Sequence, residues 1–134
     1  MRFNLMAETL NFSLVSPECE LFSGEVIHVD VPGTEGDMGI HPKHAPLMAA
    51  IRTGIVNVYR SDENISFFVQ GGFVDVTTEE LVILAEKACF IDDIDHKEIK
   101  QEIESAKKAL VSLEGEAALS MQQNLDGLQD ILAN

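Results

Sequence analysis

The sequence predicts a β domain followed by a helical hairpin. An antiparallel β-sandwich over residues 1–90 precedes an antiparallel pair of helices over residues 91–134. Three observations predict this. Up to Phe90 the apolar residues come in short runs rich in Val, Ile and Phe. Turn residues interrupt those runs at the spacing of a sandwich or barrel. After Asp92 the apolar period changes from that of a strand to that of a helix.

The strands are read in order as Phe12–Ser16, Glu25–Val31, Gly54–Arg60, Ile65–Gln70, Phe73–Thr78 and Glu80–Glu86. In the second, Ile27, Val29 and Val31 alternate with Val26, His28 and Asp30, the pattern of a half-buried strand. Ser16-Pro17, Ser23-Gly24, Thr53-Gly54, the stretch from Ser61 to Asn64, and Gly71-Gly72 read as turns.

In the helical half, Ile99, Ile103, Ala106, Leu110 and Leu113 form one apolar stripe. Asp95, with Glu98 after it, has the pattern of a capping box. Gly115 is a break, and Met121, Leu125, Leu128 and Leu132 form a second stripe. Two such stripes close on each other, and neither helix is stable alone. The pair must also lean on the β domain or on a partner. Gly127 lies inside the second helix, where it costs about 1 kcal/mol relative to Ala, so that helix is expected to be weak and to fray.

The chain has 134 residues, 46% hydrophobic, enough for a packed core, and a net charge of −14. Such a charge repels phosphate, so nucleic acid and anionic lipid are excluded as direct ligands. No apolar run approaches the roughly 20 residues of a membrane span. The N-terminus lacks the apolar region of a secretory signal. Cys19 and Cys89 stand far apart and read as buried thiols.

The densest stretch is Val31–Pro46, "VPGTEGDMGIHPKHAP". His41 and His44 are separated by Pro42 and have no third ligand at a metal-site spacing. Gly33, Gly36 and Gly39 lack the Lys-Ser/Thr pair of a phosphate loop, and Glu35 and Asp37 would repel phosphate. No catalytic arrangement is legible, because nothing there predicts a desolvated carboxylate. What is left is a stiff loop with an acidic tip, which loses little entropy on docking.

This loop, extended to Leu47, resembles the signature of the epsilon subunit of F-type ATP synthase, through Pro32-Gly33, Gly36, Gly39-Ile40, Pro42, His44 and Pro46-Leu47. "VQGGFVDV" (Val69–Val76), "LVSPECELFSGEV" (Leu14–Val26) and "LVILAEKA" (Leu81–Ala88) are similar to further segments of that family. The resemblance implies a flattened ten-stranded β-sandwich followed by a helical hairpin. It implies a non-catalytic subunit of the central stalk, coupling proton flow to ATP synthesis. It implies as partners the gamma subunit and the polar loops of the c-ring, with the alpha/beta head a candidate third. The place implied is the cytoplasmic face of the bacterial inner membrane, peripheral, with membrane association only through the complex. Thr34, Glu35, Gly36, Asp37 and Met38 fall where the family meets the c-ring. His44 falls on the gamma-facing side, and Phe22 is a second gamma candidate that equally suits the core.

Two departures from the family carry expectations. Many members bind ATP through Ile/Leu-Asp, two variable residues and Arg-Ala. Here Ile94 and Asp95 fit, but Glu98 stands at the Arg position and Ile99 at the Ala position. An acid in place of a cation repels phosphates, so weak or absent ATP binding is expected, with no cofactor and no metal. From Gly115 to Asn134 there are Glu116, Asp126 and Asp130 but no Lys or Arg. A tail without cations is not expected to inhibit an acidic catalytic head. The competing class is a free-standing sandwich, a small-molecule binder or enzyme that shares only the fold, since fold does not fix function.

Overall fold

The structure is a computed structural model that describes residues 8–133. The start of the segment read as lacking a secretory signal, residues 1–7, lies outside the described residues. Eight strands precede two helices: β1 (Leu10–Val15), β2 (Glu20–Val26), β3 (His28–Gly33), β4 (Gly36–Ile40), β5 (Leu47–Ile51), β6 (Gly54–Tyr59), β7 (Asn64–Val76) and β8 (Glu80–Phe90). A short 3₁₀ turn (Ile91–Asp93) leads to α1 (His96–Ser112) and α2 (Gly115–Ala133).

Among the described residues there are eight strands rather than the ten expected, and one reason is Gly71-Gly72. These glycines do not end a strand; they bend one. β7 runs through them, pairing with β8 in a single register from Phe67↔Phe90 to Val76↔Leu81. β5 and β6 likewise share one register along β7, interrupted only at Arg52-Thr53. Gly71 and Gly72 take φ values of 70° and 127°, and a Cβ at Gly72 would lie 2.1 Å from the Leu84 carbonyl oxygen. Only glycine fits such a bend. β7 thereby pairs with β5 on one side of the glycines and with β6 on the other.

The sandwich is not wholly antiparallel. β1 pairs antiparallel with β2 but parallel with β8, from Asn11↔Glu80 to Val15↔Leu84. No hairpin joins β1 to β8, so no turn constrains their direction. The stretch Glu25–Val31 also divides at Ile27: β2 ends on β1, whereas β3 begins on β6 and β4.

Two apolar clusters form. The first fills the sandwich with Phe12, Leu14, Val29, Val31, Val56, Phe67, Val74, Leu81 and Ile83, among others. The second joins Phe68 to Ile99, Ile103, Ala106, Leu125, Leu128 and Ile131. Phe67 and Phe68 are consecutive in a strand, so they serve opposite faces, one the sandwich and one the helices. The carboxylate of Asp95 caps α1, accepting from the backbone N–H groups of Lys97 and Glu98. Gly115, at φ 63°, makes the break before α2.

α2 departs from the expectation in two ways. Its buried line includes Ile131, while Leu132 is only half-buried. Gly127 has a packing role inside the helix. It is buried, and a Cβ there would lie 2.2 Å from the Thr53 carbonyl oxygen. The glycine lets the helix backbone lie directly on the bend between β5 and β6.

Candidate partner-binding surfaces

The stretch read as a loop is largely a β-hairpin. β3 and β4 pair from Val29↔Ile40 to Gly33↔Gly36, leaving Thr34-Glu35 as the turn. A Cβ on Gly33 would lie 2.5 Å from the Gly36 carbonyl oxygen, and Gly36 has φ 134°. The glycines therefore close a tight hairpin rather than a phosphate cradle.

Of the five residues expected at the c-ring, Glu35, Gly36 and Asp37 are exposed, while Thr34 and Met38 are half-buried. Met38 packs against the sandwich core. The acidic tip is partly neutralised, because Arg52 Nη2 donates to Asp37 Oδ1 at 2.5 Å. Backbone bonds fix the base of the tip: Arg52 N–H donates to Pro32 O at 2.8 Å, and Thr34 N–H to Ala50 O at 3.1 Å. On the other side, Gln123 Nε2 of α2 donates to Thr34 O at 2.9 Å.

The two histidines of the stretch go to different places. His44 closes a turn in which its N–H donates to His41 O at 3.2 Å and Lys43 has φ 65°. Its Nδ1 donates to Ala45 O at 2.7 Å. His41 packs against His28 with ring centroids 4.1 Å apart and the rings tilted by 44°. His28 Nε2 lies 2.7 Å from Asp30 Oδ1, and Tyr59 OH donates to Asp30 Oδ2 at 2.9 Å. That bond to a carboxylate holds the Tyr59 hydroxyl above the usual phenol range. Lys43, paired with Glu8 at 2.9 Å, holds its proton more tightly for the same reason.

Phe22 belongs to the wall of the core. Its ring lies 5.6 Å from that of Phe12 and 6.1 Å from that of Phe67, with the Arg60 guanidinium over it. Phe22 is half-buried and packs against the sandwich core.

A further surface escaped the sequence reading. The cross-strand row Ala50↔Phe73↔Leu84↔Val15 runs over the outer face of β5, β7, β8 and β1. Phe73 and Leu84 are 57% and 54% exposed, and Met48 beside them is 71% exposed. Apolar contiguity of this kind marks a contact surface. The signal was present: β7 and β8 carry large apolar residues on both phases of the alternation, not on one.

At the start of α1, Ile94 and Asp95 line a cleft of about 340 Å³ with Glu18, Asp93, Glu98 and Glu102. Its cation, Lys87, pairs with Glu102 Oε1 at 2.9 Å, which raises the ammonium pKa. The Asp95 carboxylate is engaged as the helix cap. Cys89 on the cleft wall is half-buried, and burial pushes its thiol pKa up, helped by Asp93 and Glu98. Cys19, expected to be buried, is exposed. It lies between β1 and β2, where nothing in the sandwich covers it.

The β domain matches the profile of the family described as "ATP synthase, Delta/Epsilon chain, beta-sandwich domain" over residues 9–91. The ATP synthase epsilon chain of Hyphomonas neptunium is 47% identical over 96% of this chain and 100% of its own length. That of Parvibaculum lavamentivorans is 42% identical over 94% of this chain and 97% of its own. Among solved structures, a chain of the Euglena gracilis mitochondrial ATP synthase superposes with TM-score 0.74 at 20% identity, covering 95% of this chain and 81% of that one. A chain in the central stalk and c-ring structure of the Tetrahymena thermophila enzyme gives 0.65 at 16% identity, covering 90% and 94%. Those two likenesses speak to the fold. The profile match across the β domain and the close relatives aligned along nearly the whole chain place it in a single family, and the chain belongs to the ATP synthase epsilon chains.

Proposed function

We propose that this chain is the non-catalytic subunit of the synthase central stalk that joins the gamma subunit to the c-ring and couples proton flow to ATP synthesis. The observation that carries the reading is the uncovered apolar row Ala50–Phe73–Leu84 on a sheet whose inner face is already packed. A face of this chemistry fits an apolar surface of gamma, with His44, in the turn before β5, as a further polar contact. Phe22 is better used in the core. The exposed residues Glu35, Gly36 and Asp37 at the β3–β4 tip suit the polar loops of the ring, and a rigid sandwich between the two contacts transmits torque.

In this reading residues 1–90 are the docking domain, and residues 91–134 form an antiparallel hairpin that rests on it. The chain is peripheral at the cytoplasmic face of the inner membrane and is held there by its partners. No helix among the described residues is long and apolar enough to cross a membrane. ATP binding at Ile94 and Asp95 is weak or absent, because Glu98 and its acidic neighbours repel phosphates. Binding of Mg-ATP with sub-millimolar affinity in calorimetry would overturn that part.

The test of the whole reading is affinity capture of the tagged chain from detergent-solubilised membranes. Recovery of gamma together with the ring subunit supports it. Capture of no synthase subunit from intact enzyme would overturn it, and would favour the free-standing binder.

A further inference from the structure

We propose that α2 positions the β3–β4 tip, so that Gln123, Asn124 and Gly127 hold ready the surface offered to the c-ring. The functional consequence rests on the reading above; the positioning itself does not.

One direct bond, from Gln123, and a relay through Thr53 and Arg52 run from the helix to the tip. The Gly127 backbone lies against Thr53, where any Cβ would come within 2.2 Å of the carbonyl oxygen. Thr53 Oγ1 donates to Asn124 Oδ1 at 2.6 Å. Arg52, the next residue, donates to its neighbour's carbonyl, Thr53 O, at 3.3 Å and to Asp37 Oδ1 at 2.5 Å. Gln123 bypasses the bend and bonds Thr34 O directly at 2.9 Å. The helix thus bonds the turn directly and touches Thr53, the residue after the arginine that holds the tip carboxylate.

The residue types fit this task better than they fit simple burial. Hydrophobic packing of α2 is supplied by Leu125, Leu128 and Ile131. That packing is non-directional and tolerates sliding. Two side-chain amides and a glycine notch do not: a rotation or shift of one residue breaks all of them. Gly127, unfavourable in an isolated helix, is explained by the contact it allows. A hairpin tip is ordinarily among the first parts of a sheet to open. Holding it from behind lowers the entropy lost when a partner docks.

Backbone hydrogen exchange of the full-length chain tests the positioning. Gln123→Ala is expected to speed exchange of the amides at residues 34–38 by about fivefold, the effect of one ordinary hydrogen bond, with strand β1 unchanged. Gly127→Ala is expected to deprotect both α2 and residues 34–38. Deprotection of α2 alone, or no change at the tip in either variant, would overturn the proposal. If Gly127→Ala does not fold, Gln123→Ala decides the matter, since Gln123 is half-buried and belongs to neither apolar cluster. In reconstituted synthase, Gln123→Ala is then expected to lower proton-driven ATP synthesis. Faster exchange at the tip with unchanged synthesis would leave the positioning standing and remove the tip from the ring contact.

Discussion

Arg52 and Asp37 meet across the bend of the sandwich, Nη2 to Oδ1 at 2.5 Å, with Arg52 mostly covered and Asp37 mostly exposed. The tip therefore presents Glu35 as its freer acid. Asp37→Lys is expected to cost less than about 1 kcal/mol of stability, since exposed pairs contribute little. It places a second cation beside Arg52 and reverses the charge offered to the ring. Thermal unfolding of the isolated chain should barely move, while ATP-driven proton pumping in reconstituted vesicles falls. Unchanged pumping would argue against the tip as a ring contact.

Phe73 and Leu84 form a cross-strand pair exposed on the sheet. Phe73→Asp should cost about 1–2 kcal/mol of stability, from the lost cross-strand pair and the poor strand propensity of Asp, and leave the chain folded. It should weaken binding to purified gamma by at least about 30-fold if Phe73 is a central anchor. Titration calorimetry reads the affinity, and an unchanged value would move the gamma contact elsewhere.

Phe68 is 2% exposed and is the strand residue at the centre of the helix-facing cluster. Phe68→Ala is expected to cost about 3–5 kcal/mol. The loss should fall on helix docking, because Phe67 still fills the sandwich. Limited proteolysis should cut within residues 96–133 first and spare the β domain. Equal sensitivity of both halves would show that the two clusters unfold as one.

The thiols and the Tyr59 hydroxyl give two chemical readouts. Cys19 is exposed, and Cys89 is half-buried with a raised pKa. Alkylation at about pH 8 should modify Cys19 first, with Cys89 following after local opening, because the thiolate is the reactive form. Tyr59 is raised above its ordinary 10.0, so the native state holds this proton more tightly than the unfolded chain does. Its contribution to stability is full below pH 10.0 and is lost as pH rises through the native value. Urea midpoints of Tyr59→Phe should therefore fall less steeply than wild type on the alkaline side. Lys87, shifted the same way by Glu102, leaves part of that fall in place.

Composition and period alone determined the order of the architecture, β domain then helices, the start of α1 at Asp95 and the break at Gly115. These are local matters, decided by alternation, capping and a positive φ. The same patterns could not say whether Gly71-Gly72 ends a strand or bends it, because turn and bend use the same residue. Only the pairing of β7 with both neighbours decided that. That Phe22 packs on Phe12 and Phe67 is visible only in space. The pairing of Asp37 with Arg52 and the seat of Gly127 on Thr53 join residues far apart in the chain. Sequence reading sees neighbours along the chain, whereas charge pairing and close backbone approach depend on neighbours in space. That is why the position of the tip was legible in the sequence, and the state of its carboxylate and the helix behind it were not.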